Sequence, residues 1–433
     1  MMQPVPRPQA AQKGVPRIKP VLRLLSSVLF GMMLFTTSCA SRTQPSPDSA
    51  FDNTVPTSAP QTLQTTPSSQ QLQPQDSSDQ VAARLSGMTL REKVGQLFFV
   101  RPDSLDPGQT QAQINDANAD GVTCLTEEMA SVLERYPVGG VVLFGKNITD
   151  PRQLEDFTGA LHSAMETPLL IGIDEEGGAV ARLANHSAFS LPKYQSAAAV
   201  AAEGEDAVRG MYQTISGYLD GYGIDLDFAP DADVNTNPDN PVIGTRAFSS
   251  DPETASRMVT AAVEGFAGSN VLCCIKHYPG HGDTAEDSHK SLAVTHKTWT
   301  ELQQCELLPF AAGIQAGADL VMVGHIAAPE VTGDDTPASL SPQLVESLRQ
   351  ELGFSGVIVT DSMAMEGITD QYSAADAAVE AIQAGVDVLL MPDGLAEAFD
   401  AVVTAVEDGR IPESRIDESA TRVLMLKEKR GLI

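Results

Sequence analysis

Lys276-His277-Tyr278-Pro279-Gly280-His281-Gly282-Asp283-Thr284-Ala285-Glu286-Asp287-Ser288-His289 gathers a lysine, three histidines and three carboxylates into one short segment. The apolar run before it, Val271-Leu272-Cys273-Cys274-Ile275, reads as a buried strand. The Pro-Gly and Gly-Asp steps after it force a loop, so the polar groups are expected where a strand opens. Asp287 and His289 stand two apart, a spacing that lets a carboxylate meet an imidazole and fix its tautomer, as in two members of a hydrolase triad. No serine in a Gly-x-Ser-x-Gly elbow accompanies them, which disfavours serine-hydrolase chemistry. Asp361, in Val359-Thr360-Asp361-Ser362-Met363, ends another apolar run and suits a nucleophile for an electrophilic carbon such as a sugar anomeric centre. A metal site built from His277, His281, Asp283 and His289 is the chemical rival. The spacing is loose and Lys276 would oppose a cation, so no metal and no cofactor are expected, and His281 and Asp283 are read as loop braces. His162, His186 and His296 are assigned no function.

Eight short β-rich runs could position these groups: residues 94–100, 140–144, 169–173, 224–228, 271–275, 320–323, 357–360 and 386–391. Amphipathic stretches such as 301–316 and 341–352 lie between them. Alternation of this kind argues for parallel pairing in an α/β fold and predicts a (β/α)8 TIM-type barrel, with a doubly wound open sheet as the alternative. In a barrel, function collects at the carboxyl ends of strands. There the sequence places Asp174 with Glu175-Glu176, Asp231 with Asp233, Lys276-His277, His325 and Asp361. Any one of these could be a helix N-cap, but capping is a less persuasive account of the whole set.

The first 38 residues carry five basic residues and no acid, then an uncharged run from Leu24 to Ser38, which is the pattern of an export signal. Thr36-Thr37-Ser38-Cys39 places small residues before a cysteine, as a bacterial lipoprotein signal does, although Thr36 stands where leucine is usual. Cys39 is therefore the expected lipidation site, which would tether the protein on the outer side of the cytoplasmic membrane; ordinary signal cleavage is the alternative. Residues 39–79, rich in Ser, Thr, Pro and Gln, read as a disordered linker, and 80–433 as one catalytic domain. The net charge of −29 disfavours nucleic acid and anionic membrane surfaces as partners, leaving the lipid as the only expected membrane contact. A monomer is expected. Cys124, Cys273, Cys274 and Cys305 match no zinc pattern. Cys273 and Cys274 sit in an apolar run as small hydrophobes, and a disulfide outside the cytosol stays open.

Six motifs in order make the chain resemble glycoside hydrolase family 3, in its bacterial β-N-acetylglucosaminidase branch. They are Ile171-Gly172-Ile173-Asp174-Glu175-Glu176-Gly177-Gly178, Asp227-Phe228-Ala229-Pro230, Gly244-Thr245-Arg246-Ala247-Phe248, the 276–289 block, Pro337-Ala338-Ser339-Leu340-Ser341, and Gly356-Val357-Ile358-Val359-Thr360-Asp361. The resemblance implies that Asp361 is the nucleophile, His289 the general acid and base, and Asp287 its partner. It implies that Asp174, Arg182, Arg246, Lys276 and His277 hold sugar hydroxyls, and that the second αβ domain of many family 3 β-glucosidases is absent. The Asp287-Ser288-His289 triplet marks the N-acetylglucosaminidase branch. Ala179, Glu175 and Tyr278 depart from the Arg, Gln and Phe common at their positions. The activity implied is retaining exo-hydrolysis of terminal β-linked N-acetylglucosamine from cell-wall muropeptides or chitin-type oligosaccharides. The alternatives are a β-glucosidase, a phosphorylase on the same site, and an inactive sugar-binding lipoprotein.

Overall fold

The computed structural model describes residues 74–433 apart from residue 289, with side chains from residue 79. The export signal, Cys39, most of the linker and His289 lie outside the described residues. Helix Pro74–Gly87 begins ahead of residue 80, where the catalytic domain is expected to start.

Eight parallel strands form the barrel: β1 (Phe98–Val100), β2 (Gly140–Leu143), β3 (Leu170–Ile173), β4 (Leu226–Asp227), β5 (Leu272–Tyr278), β6 (Leu320–Val323), β7 (Val357–Thr360) and β8 (Leu389–Leu390). From β1 to β7 each strand pairs with the next in sequence, and β8 pairs with β1 through Phe98↔Leu389. A parallel bridge between Val359 and Val388 joins β7 to the entry of β8 and closes the ring. All eight expected runs supply a strand, and the closure rules out the open sheet. Alternation explains how such apolar strands fill two layers. Phe99, Val142, Leu170, Cys274 and Met322 point into the barrel. Phe98, Val141, Leu143, Ile171 and Cys273 point out against the helices.

Several boundaries differ from expectation. Residues 94–96 belong to helix Leu90–Gln96, whose start is fixed by a capping box on Thr89 and Glu92, so a local capping signal overrides an apolar run. The stretch 301–316 is two helices, Trp299–Gln304 and Leu307–Ala316, broken at Cys305. Strand β5 continues through Lys276, His277 and Tyr278, which the sequence reading placed in a loop. Pairing with β6 extends to Tyr278↔Val323 with a register shift after Ile275, and that shift brings two consecutive polar side chains to the barrel mouth.

The amino-terminal end of the barrel is closed by helix Glu413–Lys429. Its Val423 and Leu426 pack with the barrel interior, and Lys427 Nζ donates to Gln96 Oε1 at 2.6 Å. The carboxyl end opens onto a cavity. The cysteines Cys124, Cys273, Cys274 and Cys305 are free thiols.

Candidate active site

The polar residues after the strands do not cap helices. Asp150 caps helix Pro151–His162, Asp251 caps Pro252–Phe266 and Ser373 caps Ala374–Ala384. Freed from capping, Asp174, Arg182, Arg246, Lys276, His277 and Asp361 all line one cavity of about 320 Å3 at the carboxyl end of the barrel.

One wall is a chain of buried ion pairs. Lys276 Nζ lies 2.9 Å from Asp174 Oδ1 and 2.6 Å from Glu176 Oε1. Arg246 grips Glu176 with both prongs of its guanidinium, at 2.8 and 2.7 Å, and Arg182 Nη2 reaches Asp174 Oδ2 at 3.1 Å. Burial alone would raise the pKa of Asp174, but Lys276 and Arg182 hold it well below the carboxylate range. Glu176 is lowered against the same burial by Arg246 and Lys276. Lys276, despite burial, is raised by Asp174 and Glu176 and stays charged. The wall is a set of fixed charges with donors and acceptors aimed at the cavity, the arrangement that grips vicinal hydroxyls.

Glu176 was visible only as half of the Glu175-Glu176 pair. The hairpin Glu175–Gly177 with Val180–Ala181 turns Glu176 into the cavity and Glu175 away from it. Glu175 accepts from the Leu183 and Ala184 amides and from Tyr218 Oη, all within 2.8 Å, and so staples the loop that delivers Arg182.

His277 is held from behind. Its Nδ1 lies 2.8 Å from Asp233 Oδ2, and its Nε2 faces Arg246 Nη2 at 3.5 Å. A guanidinium can only donate, so these partners assign the proton to Nδ1 and leave Nε2 as an acceptor. Burial and then Arg246 press the His277 pKa down to about 4, which keeps the ring neutral. Asp233 also accepts from the His281 amide at 2.6 Å, and was not singled out from sequence beyond its place after a strand.

The loop after β5 is braced as expected. His281 bonds Thr284 Oγ1 at 2.7 Å and Ser288 Oγ at 2.8 Å. Asp283 faces Thr295 Oγ1 and Lys297 Nζ. A β-carbon on Gly282 would stand 2.0 Å from the Val234 carbonyl oxygen, so the loop's close approach to the barrel needs glycine there. Ser288 reaches the cavity wall. Its neighbour Asp287 pairs with Lys290 at 3.0 Å, and His289 lies outside the described residues.

Asp361 directly follows β7. Its amide donates to the Val323 carbonyl, and its Oδ1 accepts from the Ser362 amide at 2.7 Å. Buried His325 bonds Ser339 Oγ at 2.8 Å and the Ser362 carbonyl at 2.9 Å, tying the Pro337–Ser341 motif to the Asp361 turn.

Among the described residues, Asp231, Asp233 and His277 bring ligand atoms within 4.8 Å of one another. This differs from the metal set weighed from sequence. Arg246 Nη2 sits 3.7 Å from Asp231 and already supplies positive charge there.

A carboxylate at the end of β7 facing a charged cavity at the carboxyl end of a (β/α)8 barrel fits carbohydrate chemistry. The sequence model of the glycosyl hydrolase family 3 N-terminal domain matches residues 89–426. The chain belongs to glycosyl hydrolase family 3. Within the family it is 36% identical over 288 residues to the beta-hexosaminidase of Xylella fastidiosa (strain 9a5c), covering 65% of this chain and 84% of that protein. It is 34% identical over 349 residues to beta-hexosaminidase A of Pseudoalteromonas piscicida, covering 74% of this chain but 58% of that one. A family 3 beta-N-acetylglucosaminidase from Paenibacillus sp. str. FPU-7 superposes with a TM-score of 0.71 at 36% identity, covering 80% of this chain and 63% of that structure. The chain thus spans less than two thirds of the Pseudoalteromonas protein and of the Paenibacillus structure.

Proposed function

We propose that the protein is a retaining exo-β-N-acetylglucosaminidase that removes terminal β-linked N-acetylglucosamine from cell-wall or chitin-type oligosaccharides. The observation that carries this reading is Asp361, set at the end of β7 in a cavity whose far wall is the Asp174-Lys276-Glu176-Arg246 charge chain. The names of the relatives support the acetamido sugar. In the mechanism, Asp361 attacks the anomeric carbon while protonated His289 gives its proton to the leaving oxygen. Neutral His289 then takes a proton from water, which displaces Asp361 from the glycosyl-enzyme. Asp287 stabilises the cationic imidazole in the first step. Asp174, Arg182, Arg246, Lys276 and His277 hold the ring hydroxyls, with His277 Nε2 accepting.

The same reading puts the enzyme outside the cytoplasmic membrane, tethered by a lipid on Cys39. Its support is the amino-terminal sequence, and globomycin-sensitive processing with mass analysis of the mature amino terminus tests it. The activity is tested by release of chromophore from aryl β-N-acetylglucosaminide and aryl β-glucoside in parallel, with and without phosphate. Strong preference for the acetamido sugar, with free N-acetylglucosamine as product, is the expected result. Preference for glucose, or a phosphate requirement, would overturn the reading.

A further inference from the structure

A second cavity of about 400 Å3 adjoins the first and shares Arg101, Asn115, Phe144 and Arg182 with it. Neither Asp361 nor Ser288 lines the second cavity, so it leads away from the end where bonds would break. It lies on the side of Arg182, which pairs with Asp174 at the hydroxyl-binding wall.

The shared partition is cationic. Phe144 is flanked by two guanidinium groups, Arg101 at 4.9 Å and Arg182 at 5.3 Å from the ring centroid. Arg101 donates to the Ile114 carbonyl and to Asn115 Oδ1, both neutral, and makes no ion pair among the described residues. Burial pulls its pKa down, while Asp103, Asp393 and Asp174 act on it only at longer range. Asp103 is engaged by Lys146, Asn147 and the Val122 amide, and Asp393 by Asn115. Arg182 Nε is buried with no hydrogen-bond partner among the described residues. Two partly buried guanidinium groups with donor capacity to spare, facing unfilled space, select an anion.

We propose that this second cavity is a subsite for an anionic substituent on the terminal sugar, at the end remote from the scissile bond. It deepens the hexosaminidase reading and rests on it. With C1 at Asp361, O4 and the C6 hydroxymethyl arm stand on the non-reducing side of the ring, away from the acetamido group at C2. A 6-O-sulfate or an equivalent acidic group there extends past Phe144 to Arg101 and Arg182. Substrates are thus 6-substituted acidic N-acetylglucosaminides as well as the plain sugar.

The test is calorimetric titration of the full chain with N-acetylglucosamine and with its 6-sulfate, alongside turnover of the two matching aryl glycosides. The 6-sulfate is expected to bind about ten-fold more tightly, and that ratio to fall to within about two-fold in Arg101→Gln. Arg101→Lys keeps the charge but not the planar fork, and is expected to restore part of the ratio; it also serves if Arg101→Gln fails to fold. Equal or weaker binding of the 6-sulfate by the wild type, or an unchanged ratio in Arg101→Gln, overturns the subsite. Turnover of the plain aryl glycoside without sulfate preference sinks the subsite and leaves the activity standing. Sulfate preference in binding with no turnover of either glycoside does the reverse.

Discussion

His277 gives a prediction whose size follows from its surroundings. Its ring is buried between Asp233 and Arg246, and its pKa falls from the ordinary 6.5 to about 4. The unfolded chain therefore binds a proton through a pH range in which the folded protein refuses one. Stability from this group is complete above pH 6.5 and is lost as pH falls toward 4. Between pH 7.5 and 4.5 the loss comes to about 2.5 kcal/mol, since each pH unit inside that window is worth about 1.4 kcal/mol. Asp231 and Asp233 act in the opposite sense. Burial raises both, so they take up protons early in the folded state and favour it as pH falls. A comparison with His277→Gln separates the two effects, because glutamine keeps a donor for Asp233 and does not titrate. Urea unfolding at pH 7.5, 6.0, 5.0 and 4.5 should show the wild type losing about 2.5 kcal/mol more than the variant. Parallel pH profiles for the two proteins would refute a neutral, partner-locked His277.

Three further outcomes can be checked. Glu176→Gln removes the carboxylate charge that Lys276 and Arg246 share, leaving Asp174 beside Lys276, and is expected to cost about 3 kcal/mol in urea unfolding while raising KM for aryl glycosides. His289→Ala should slow glycosides with good leaving groups far less than those with poor ones, since only the latter need the proton; equal losses on both would remove His289 from the acid role. Lys427 is buried with its pKa pulled down to about 7 by burial, so the unfolded chain holds the extra proton between pH 7 and 10.5 and wild-type stability rises with pH across that window. Lys427→Met should flatten this rise and stabilise the protein at pH 7, because the desolvation of the ammonium outweighs the donor that Gln96 loses.

The barrel was legible because each strand is a short apolar run bounded by breakers, a signal that survives errors of several residues at either end. Gln96 and its neighbours were misread because the Thr89 capping box acts on the local backbone and leaves no trace in hydropathy. Lys276 and His277 line the cavity, but they extend strand β5 where the sequence suggested a loop. Pro279 and Gly280 end the strand later than a change from apolar to polar residues suggests. The choice between Glu175 and Glu176 could not be made from sequence, since a tight hairpin with a register shift decides which side chain faces the cavity. Asp233 and His325 act through backbone amides, carbonyls and neighbouring side chains that are distant in sequence, and only the closed barrel brings those partners into range.

The central claim is that Asp361 forms a covalent bond to the sugar. Incubation with a 5-fluoro-N-acetylglucosaminyl fluoride, which forms the glycosyl-enzyme faster than water resolves it, followed by peptide mass mapping, tests this directly. The account predicts one added glycosyl mass on the peptide containing Asp361, and none on the Asp361→Asn variant. A label on another carboxylate, or turnover with inversion and no label, would contradict it.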